Sequence, residues 1–501
     1  MMRALSKSKL MTFRQCPKRL WLEIHRPSLR EDSAATQASF DTGHQVGEIA
    51  QRLYDPKNAG VLIDAQRDGF KTAFAQSEAA LQRSQPIFEA GFSAGGALAF
   101  ADVMLPAGTR RARTWRMVEV KSSTSVKDYH RDDVAIQAFV ARSAGVPLKA
   151  ISLAHIDSSW VYPGGEDYQG LLTEHDLTEE AFARDDEVKG WIADAQVVAG
   201  LTVEPKQRTG RQCTEPYECG FLSYCESQEP QAEYPVHWLP RIGSKGLRAL
   251  IEEDGVADLR EVPDDLLNDR QRRVKAHTLS GRTFFDATGA AADLAPHRLP
   301  AYFLDFETIQ FAVPIWKGTR PYQQIPFQFS VHRLSRTGKL EHRSFLDLSG
   351  GDPSRSFAET LIAHCGQSGP VFVYNAGFET ARIRELADRF PHLKASLLAI
   401  NERVADLLPI AQERYYHPSQ QGSWSIKKVL PAVAPDLRYD ALDGVQDGGM
   451  AMSAYQEAIH ASTTRARKDQ IEQQLFDYCS LDTFAMVRLW QFFAGRNDLK
   501  L

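Results

Sequence analysis

Apolar residues recur along the chain in two patterns that predict different elements. The segment AYFLDFE at residues 301–307 is a nearly continuous apolar run, which predicts a buried strand. The segment IEQQLFDYCSLDTFAMVRLWQFF at residues 471–493 repeats apolar residues every three or four positions, which predicts a long amphipathic helix. Such a helix places near one face the residues Leu475, Tyr478, Asp482, Ala485 and Met486.

The same pattern divides the chain into three regions. Residues 1–230 begin with a basic, helix-like stretch, continue through mixed strands and helices, and close in a Cys-rich segment that we expect to be irregular. Residues 231–297 are charged and predict helices, and residues 298–501 begin with an apolar strand and end in the long helix. We expect a multidomain α/β protein, because 501 residues exceed one ordinary domain.

The composition is typical of a globular protein, with 43% hydrophobic residues, 25% charged residues and a mean hydropathy of −0.36. No apolar run approaches the roughly 18 residues of a membrane span, and the first residues lack the apolar core of a secretory signal. We therefore expect a cytosolic protein without a membrane partner. The net charge of −5 argues against a wholly basic surface that wraps nucleic acid, but it leaves local basic grooves open.

Six cysteines are too few for a disulfide scaffold, yet three of them lie within residues 213–225. Their five-residue gaps fit the tight ligand pairs of zinc sites poorly. An iron–sulfur cube takes four thiolates, which can come from distant segments. The alternative is three loop thiols without a metal. The candidate cluster ligands are Cys16, Cys213, Cys219 and Cys225.

Two predicted strands between these cysteines carry acidic residues. Asp102 lies at the end of the apolar strand in IFEAGFSAGGALAFADVMLP, and Glu119 and Lys121 follow in TWRMVEVKSSTSV. Residues two apart share one face of a strand, so Glu119 and Lys121 point together into the site that Asp102 lines. Two carboxylates can hold Mg²⁺ or Mn²⁺ against a phosphate while the ammonium stabilises charge or orients water. Alternating Glu and Lys is also common on exposed strands.

The N-terminal segment LSKSKLMTFRQCPKRLWLE, the late cysteines and the D…ExK pattern resemble the RecB-type PD-(D/E)XK nucleases that carry an iron–sulfur staple. These include the CRISPR-associated exonuclease family and the AddB-type nuclease domain. The resemblance implies a restriction-endonuclease-like domain over residues 1–230, with its two ends pinned by a 4Fe–4S cluster on the four candidate cysteines. It also implies that Asp102 and Glu119 bind the metal, that Lys121 is catalytic, and that Gln137 contacts DNA or the attacking water.

Three features depart from that family's pattern. Both gaps between the late cysteines are five residues long, whereas the family more often has two and then five. Gly47 occupies the position of a histidine ligand, which Glu48 could replace. Ala141 stands where an aromatic residue is expected after Gln137.

A second acidic constellation lies in residues 298–501. Asp305 and Glu307 are one residue apart on the apolar strand, where two inward carboxylates are costly unless a cation neutralises them. The segment VFVYNAGFETARIRELA carries Glu379 at a predicted strand-to-helix junction. Tyr478 and Asp482 are one helical turn apart, hence on one face. The alternative for a bare D-x-E is a strand end with exposed acids.

Together these segments resemble the DnaQ-like, RNase H-fold 3′–5′ exonucleases with a DEDDy site. The resemblance implies an RNase H-like domain over residues 298–501 and a tyrosine, Tyr478, that orients the attacking water. Glu379 stands where the family usually has Asp, and its extra methylene would shift the metal. The four acids that the resemblance assigns to two divalent metals are Asp305, Glu307, Glu379 and Asp482.

Several weaker candidates accompany these motifs. Residues 242–263 resemble a short helix-hairpin-helix-like module, with a plain helical spacer as the alternative. Asp406 is a lower-ranked acid, and the residues Ser425, Lys427 and Lys428 start a predicted helix that could meet a substrate backbone. The tryptophans that could stack on bases, with core packing as the alternative, are Trp115, Trp316 and Trp424. One of several basic clusters comprises Arg110, Arg111, Arg113 and Arg116.

The two resemblances cover nearly the whole chain and match a bacterial family that joins an iron–sulfur RecB-type nuclease to a DnaQ-like exonuclease through a helical segment. They imply a metal-dependent nuclease, most naturally a DNA exonuclease that acts on single-stranded ends in DNA repair or in defence against foreign DNA. Three alternatives stay open. They are an RNA-processing exonuclease, a non-catalytic nucleic-acid-binding protein with degenerate sites, and a redox-sensing regulator built on the cluster.

Overall fold

The computed structural model describes residues 4–108 and 113–499. The chain divides into two compact units. The first unit comprises Met1–Pro230 and Phe311–Tyr322, and the second comprises Gln231–Gln310 and Gln323–Leu501. Each unit contains its own β-sheet flanked by helices, so the protein is mixed α/β and multidomain. Among the described residues, no helix combines the length and apolar character needed to span a bilayer.

The first unit is built on a seven-stranded sheet. Its strands are β1 (Leu5–Ser6), β2 (Val61–Leu62), β3 (Ile87–Ala94), β4 (Ala97–Pro106), β5 (Trp115–Lys121), β6 (Leu148–Ile156) and β7 (Leu172–Asp176). The strands follow one another in the order β2-β3-β4-β5-β6-β7, and β1 pairs with β4. The central strands β3, β4 and β5 run antiparallel to one another, whereas β2 is parallel to β3, β1 is parallel to β4 and β6 is parallel to β5. Because β6 is parallel to β5, a crossover must join them, and the helix Asp128–Ser143 provides it.

Nine helices surround this sheet in the described part of the first unit. They are α1 (Lys7–Gln15), α2 (Pro17–His25), α3 (Ala34–Tyr54), α4 (Ala65–Asp68), α5 (Phe70–Leu81), α6 (Asp128–Ser143), α7 (Thr178–Ala183), α8 (Asp185–Ala199) and α9 (Leu222–Ser227). Helix α6 packs on β3, β4 and β6, and every residue from Asp133 to Ala141 is buried. The helix therefore carries two polar side chains, Asp133 and Gln137, into the interior one turn apart.

A segment from later in the chain completes the first unit. Residues 311–322, which we call the strap, pack Ala312 and Val313 into a small core with Val46 and Ile156. The Gly318 N–H donates to the Tyr162 carbonyl at 2.8 Å, and the Tyr162 N–H donates to the Thr319 carbonyl at 2.9 Å. The Tyr322 hydroxyl donates to the Ser122 carbonyl, one residue after Lys121.

The second unit is built on a five-stranded mixed sheet. The strands of the whole unit are β8 (Phe284–Phe285), β9 (Ala301–Ile309), β10 (Ile325–Leu334), β11 (Leu340–Leu346), β12 (Val371–Val373), β13 (Val404–Asp406) and β14 (Tyr415–Tyr416). The sheet order is β11-β10-β9-β12-β13, while β8 and β14 form a separate pair. Strands β11, β10 and β9 are antiparallel, and β9, β12 and β13 are parallel.

Ten helices accompany this sheet in the described part of the second unit. They are α10 (Lys245–Glu252), α11 (Asp269–Ser280), α12 (Ala287–Leu294), α13 (Ser354–His364), α14 (Gly377–Arg389), α15 (Lys394–Asn401), α16 (Leu407–Arg414), α17 (Ile426–Val433), α18 (Gly448–Ile459) and α19 (Arg465–Phe493). The apolar strand and the long C-terminal helix predicted from the sequence are confirmed as β9 and α19. Helix α19 packs on β9 and β10. The five residues predicted to share its inner face are all buried.

Residues 231–297, predicted as a helical linker, belong to the second unit. They hold a small core of their own, which includes Val236, Leu247 and Leu259. They also join the larger sheet region, because the Thr278 and Tyr416 hydroxyls hydrogen-bond at 2.7 Å and β8 pairs with β14.

Candidate functional site

Three carboxylates converge in the second unit. Asp305 and Glu307 lie on one face of β9, and α19 crosses that strand and contributes Asp482. Oxygen atoms of the three side chains all lie within 4.8 Å of one another, close enough to share a cation. Glu307 and Asp482 are each 7% exposed. We call Asp305, Glu307 and Asp482 the acidic triad.

Burial and mutual repulsion keep protons on this triad. Burial, together with the neighbouring Asp482, raises the pKa of Asp305 well above its usual range. The same two causes raise the pKa of Glu307 to about 8. Burial raises the pKa of Asp482 to about 6, although a hydrogen bond from Tyr439 and the charge of Lys427 oppose the shift. Three clustered acids with these pKa values form a site that a divalent cation would stabilise.

Two tyrosines and a lysine border the triad. The Tyr439 hydroxyl donates to Asp482 Oδ1 at 2.5 Å. The Lys427 Nζ atom lies 5.3 Å from the ring centroid of Tyr439 and 5.2 Å from that of Tyr478, and it donates to the Gln446 carbonyl at 2.6 Å. Burial raises the pKa of both phenols, so both remain protonated donors. Sequence reasoning missed Tyr439, because the segment RYDALDG has no spacing that ties it to Asp482.

Glu379 lies in the first turn of α14 and is 3% exposed. Its Oε2 atom has no hydrogen-bond partner among the described residues, and burial raises the pKa of the side chain to about 8. Its charge contributes to the raised pKa values of Asp305 and Glu307, but its oxygens lie outside the triad's 4.8 Å group. An unpaired buried carboxylate oxygen beside three acids fits a cation ligand better than a structural acid.

Asp406 has a structural role instead. Its carboxylate accepts N–H bonds from Asn375, Ala376 and Leu408, each at 2.9 Å. It therefore caps α16 and holds the loop before α14, where Asn375 has a φ of +82°. These bonds position Glu379 without using Asp406 as a ligand.

The predicted residues of the first unit meet in a network of charges. Lys121 Nζ donates to Glu119 Oε1 at 2.6 Å and to Asp133 Oδ2 at 2.5 Å. Lys7 Nζ lies 2.8 Å from Glu119 Oε1 and 3.1 Å from Asp133 Oδ1. The Gln137 amide donates to the other oxygen of Glu119. The sequence prediction that Glu119 and Lys121 share a face is confirmed, and sequence reasoning missed Lys7 and Asp133. Asp133 precedes Gln137 by one helical turn, which was a usable signal.

Asp102 lies inside β4 rather than at its end, because β4 continues to Pro106. Its Oδ2 atom accepts the Val120 N–H at 2.7 Å. It lines a cavity of about 340 Å³ with Glu48 and Glu89, and Gly47 also borders this space. Burial and the charge of Glu119 raise the pKa of Asp102 well above its usual range and that of Glu89 to about 7. Glu89, also missed from the sequence, was detectable as an acid in an apolar strand.

The four candidate cluster ligands line one small cavity in the first unit: Cys16, Cys213, Cys219 and Cys225. All four thiols are buried and free of disulfides. Burial raises the pKa of three of these thiols, that of Cys225 to about 11. The backbone N–H groups of Arg19 and Lys18 oppose this shift of the pKa at Cys16. Among the described residues, no three of these sulfur atoms lie within 4.8 Å of one another, so the four thiols share a cavity without forming a site for a single ion. We call this arrangement the four-thiol cavity.

The remaining sequence candidates have plainer positions. Cys365 and Cys479 are buried, as their apolar surroundings predicted. The three tryptophans are in the core: Trp115, Trp316 and Trp424. Ser425 precedes α17 as its N-cap residue, and Lys428 is exposed. Arg110 and Arg111 lie outside the described residues.

A family model matches one segment of the chain. The model of a family described as a domain of unknown function (DUF2779) matches residues 302–425. The matched region contains Asp305, Glu307 and Glu379 and ends before Tyr478 and Asp482. No curated protein matched the chain.

Proposed function

We propose that this protein is a metal-dependent nuclease whose second unit hydrolyses phosphodiester bonds at nucleic-acid ends. The observation that carries the proposal is the acidic triad, in which three buried carboxylates have oxygens within 4.8 Å of one another. Apart from ligating cations, such a cluster would only destabilise the fold, because each buried charge repels the others. The metals proposed are Mg²⁺ or Mn²⁺.

The triad and its neighbours would have distinct roles in phosphodiester hydrolysis. Asp305, Glu307, Glu379 and Asp482 would hold the divalent ions. Ions bound there would neutralise phosphate charge and promote ionisation of the attacking water. Tyr478 would orient that water through its hydroxyl, which burial keeps protonated. Tyr439 fixes the orientation of Asp482 through its 2.5 Å hydrogen bond.

The strand arrangements support the two predicted folds. The order β11-β10-β9-β12-β13, with antiparallel strands on one side and parallel strands on the other, is what an RNase H-like sheet would have. In the first unit, α3 precedes the antiparallel strands β3, β4 and β5 along the chain, and α6 and β6 come after them. Strand β6 is parallel to β5, and this order of elements suits a PD-(D/E)XK nuclease. Fold alone does not give function, so the acidic residues carry the argument.

The first unit is proposed as a second nuclease site, with Asp102, Glu119, Lys121 and Gln137 as its catalytic residues. One observation favours the alternative that this unit binds nucleic acid without cutting it. Among the described residues, no three acids of this unit have oxygen atoms within 4.8 Å of one another. In addition, Glu119 forms salt bridges with Lys7 and Lys121. Metal binding would have to displace a lysine from Glu119.

We further propose a 4Fe–4S cluster in the four-thiol cavity. Bound there, it would tie the helices α1 and α2 to residues 213–225, so that the two ends of the first unit are fixed together. DNA is the proposed substrate class, with single-stranded ends favoured. Roles in DNA repair or in defence against foreign DNA are proposed only by analogy with other nucleases of these folds. RNA is the alternative substrate.

The test is a cleavage assay on the full chain with end-labelled single-stranded DNA, duplex DNA and RNA, with and without Mg²⁺ or Mn²⁺. Asp305→Asn and Asp482→Asn should reduce metal-dependent cleavage by the second unit to background. Asp477→Asn is the matched control, because Asp477 is exposed on the same helix as Asp482 and bonds only to Gln473 in the described chain. Mn²⁺ titration calorimetry gives a readout that is independent of turnover.

Variants of the first unit separate the two sites. Lys121→Ala and Asp102→Asn should remove cleavage that survives Asp305→Asn, while Asp128→Asn at the exposed start of α6 should not. Full activity in the combined Asp305→Asn, Asp482→Asn and Lys121→Ala variant would overturn the nuclease assignment. Tight binding without any metal-dependent turnover would favour the non-catalytic alternative.

A further inference from the structure

A third cavity of the first unit lies directly beside the lysine–carboxylate network. It has a volume of about 310 Å³, at the lower end of the range for small-ligand sites, and Lys121 and Asp133 form part of its wall. Three large aromatic side chains, each from a different segment, also line it: Phe40 of α3, Tyr129 of α6 and Tyr217. We call these three side chains the aromatic wall. The rest of the lining is Met11, His130 and three serines.

The aromatic wall is unusually open to solvent. Phe40 is 45% exposed and Tyr217 is 38% exposed, whereas large aromatic side chains are mostly buried in a folded protein. The rings of Tyr129 and Tyr217 meet edge to face, with centroids 5.7 Å apart and an interplanar angle of 88°. The Arg19 guanidinium lies 5.5 Å from the centroid of the Tyr217 ring. The rings therefore have defined positions while part of their surface remains available to a ligand.

The position of Tyr217 depends on the four-thiol cavity. Tyr217 lies in the loop between Cys213 and Cys219, both of which line that cavity. The Gln15 amide, one residue before Cys16, donates to the Gln212 carbonyl at 2.8 Å and to the Tyr217 carbonyl at 2.7 Å. The thiol-bearing segments thus hold the backbone of Tyr217, whose ring lines the cavity of about 310 Å³.

The chemistry of this cavity matches a single nucleotide. A nucleotide combines a flat aromatic base with an anionic phosphate, and the cavity combines aromatic rings with the ammonium of Lys121. A phosphate would replace one of the two carboxylates, Glu119 and Asp133, that pair with this ammonium. Stacking on aromatic side chains is the usual means by which proteins bind unpaired bases, and it is largely independent of sequence. A base inside a duplex has both faces covered by its neighbours, so it cannot stack on these rings without leaving the helix.

We infer that the aromatic wall binds an unpaired nucleobase next to the phosphodiester bond presented to Lys121, so that the first unit selects single-stranded substrate. The inference rests on the proposed function of the first unit, and it assigns the selection of single-stranded ends to named residues of that unit. Tyr217 is the central stacking residue and acts on substrate binding, not on bond cleavage. The same ring links the integrity of the four-thiol cavity to substrate affinity.

Site-resolved photocrosslinking tests the inference in the full chain, because each crosslinked peptide shows which of the two units contacts the DNA. The probe is a short single-stranded DNA with one 5-iodouracil, which bonds covalently to a contacting aromatic ring on irradiation, in buffer with Ca²⁺ to suppress turnover. We expect crosslinked peptides that contain Tyr217, Tyr129 or Phe40. Tyr217→Ala should remove the crosslink at that position, and Tyr217→Phe should retain it because the ring remains. Crosslinks confined to other parts of the chain, or none, would overturn the inference.

Kinetics in an Asp305→Asn background give the second readout. Tyr217→Ala should raise the KM for single-stranded DNA about 5- to 100-fold with little change in kcat, and Tyr217→Phe should restore the KM. Phe70→Ala is the matched control, because Phe70 is 57% exposed in the same unit and is not part of the cavity wall. An equal KM effect on duplex DNA would overturn the selection for single strands.

The two proposals fail in different ways. If crosslinking locates the base on the aromatic wall but Lys121→Ala changes no cleavage, the binding inference stands and the nuclease role of the first unit is wrong. If Lys121→Ala abolishes cleavage while Tyr217→Ala alters neither crosslinking nor KM, the nuclease role stands and the inference is wrong.

Discussion

At the residue scale, the acidic triad was predictable in composition but not in its surroundings. Asp305 and Glu307 stand out because two carboxylates interrupt an apolar strand, and Asp482 stands out because it interrupts the buried face of a helix. Tyr439 was not predictable, since its contact with Asp482 depends on how a loop 43 residues earlier in the chain folds back. Lys7 was hidden for the same reason, because its partner Glu119 lies 112 residues away.

The raised pKa values of the triad predict that metal binding strengthens with pH. In the metal-free protein, Asp482 has a pKa of about 6 and Glu307 of about 8, so both must release protons before they bind a cation. Mn²⁺ affinity should rise from about pH 6 to about pH 8, with protons released on binding, as calorimetry in buffers of different ionisation enthalpy would measure.

Substitution of Glu307 is the control for this pH dependence. Glu307→Gln should weaken Mn²⁺ binding and reduce its dependence on pH between about pH 7 and pH 8, because one of the two acids that titrate there is gone and only Glu379 remains. Affinity that does not change with pH in the unsubstituted protein would contradict the assignment of these acids as ligands.

At the element scale, the hydrophobic pattern predicted β9 and α19 because both are long, strongly patterned and buried. It predicted the side chains of β5 as well, since strand alternation alone brings Glu119 and Lys121 to one face. It misjudged where β4 ends, because Asp102 is polar and the strand continues beyond it for pairing with β5. Nor did it predict α9, where Cys225 lies in a short helix and not in a loop.

Asp406 provides a prediction at this scale, because it joins β13 to α16 and to the loop before α14. Asp406→Ala removes an N-cap and leaves the N–H groups of Asn375 and Ala376 without their acceptor. The free energy of unfolding should fall by about 1–3 kcal/mol, measured by chemical denaturation. Mn²⁺ stoichiometry should stay unchanged, and loss of a bound ion without loss of stability would instead make Asp406 a ligand.

At the scale of the whole molecule, the sequence indicated several domains but not how the chain is shared between them. Residues 231–297 were predicted as a linker because their charged helical pattern shows no partner. Their contacts with the rest of the second unit, such as that between Thr278 and Tyr416, join residues 138 positions apart in the sequence. Such contacts leave no local sequence pattern that would indicate them. Equally, nothing in the local pattern of the strap indicates that it packs with the first unit.

The four-thiol cavity gives a prediction for the whole first unit. Protein purified anaerobically should contain iron and inorganic sulfide and absorb broadly in the visible range. Cys16→Ser should lose this iron and lower the melting temperature, because the cavity then lacks one of four ligands. Cys365→Ser is the matched control, since Cys365 is buried in the second unit and is not among the residues that line the cavity. Equal iron content in the two variants would exclude the four-thiol cavity as the cluster site.

The strap has a consequence for how this protein can be divided or exchanged. The polypeptide passes between the units three times, after residues 230, 310 and 322. A gene fragment that ends at codon 230 would encode a first unit without the residues that cover Val46 and Ile156, and we expect such a fragment to aggregate. Recombination at a single boundary could not transplant either unit intact. The two units are therefore expected to be inherited together.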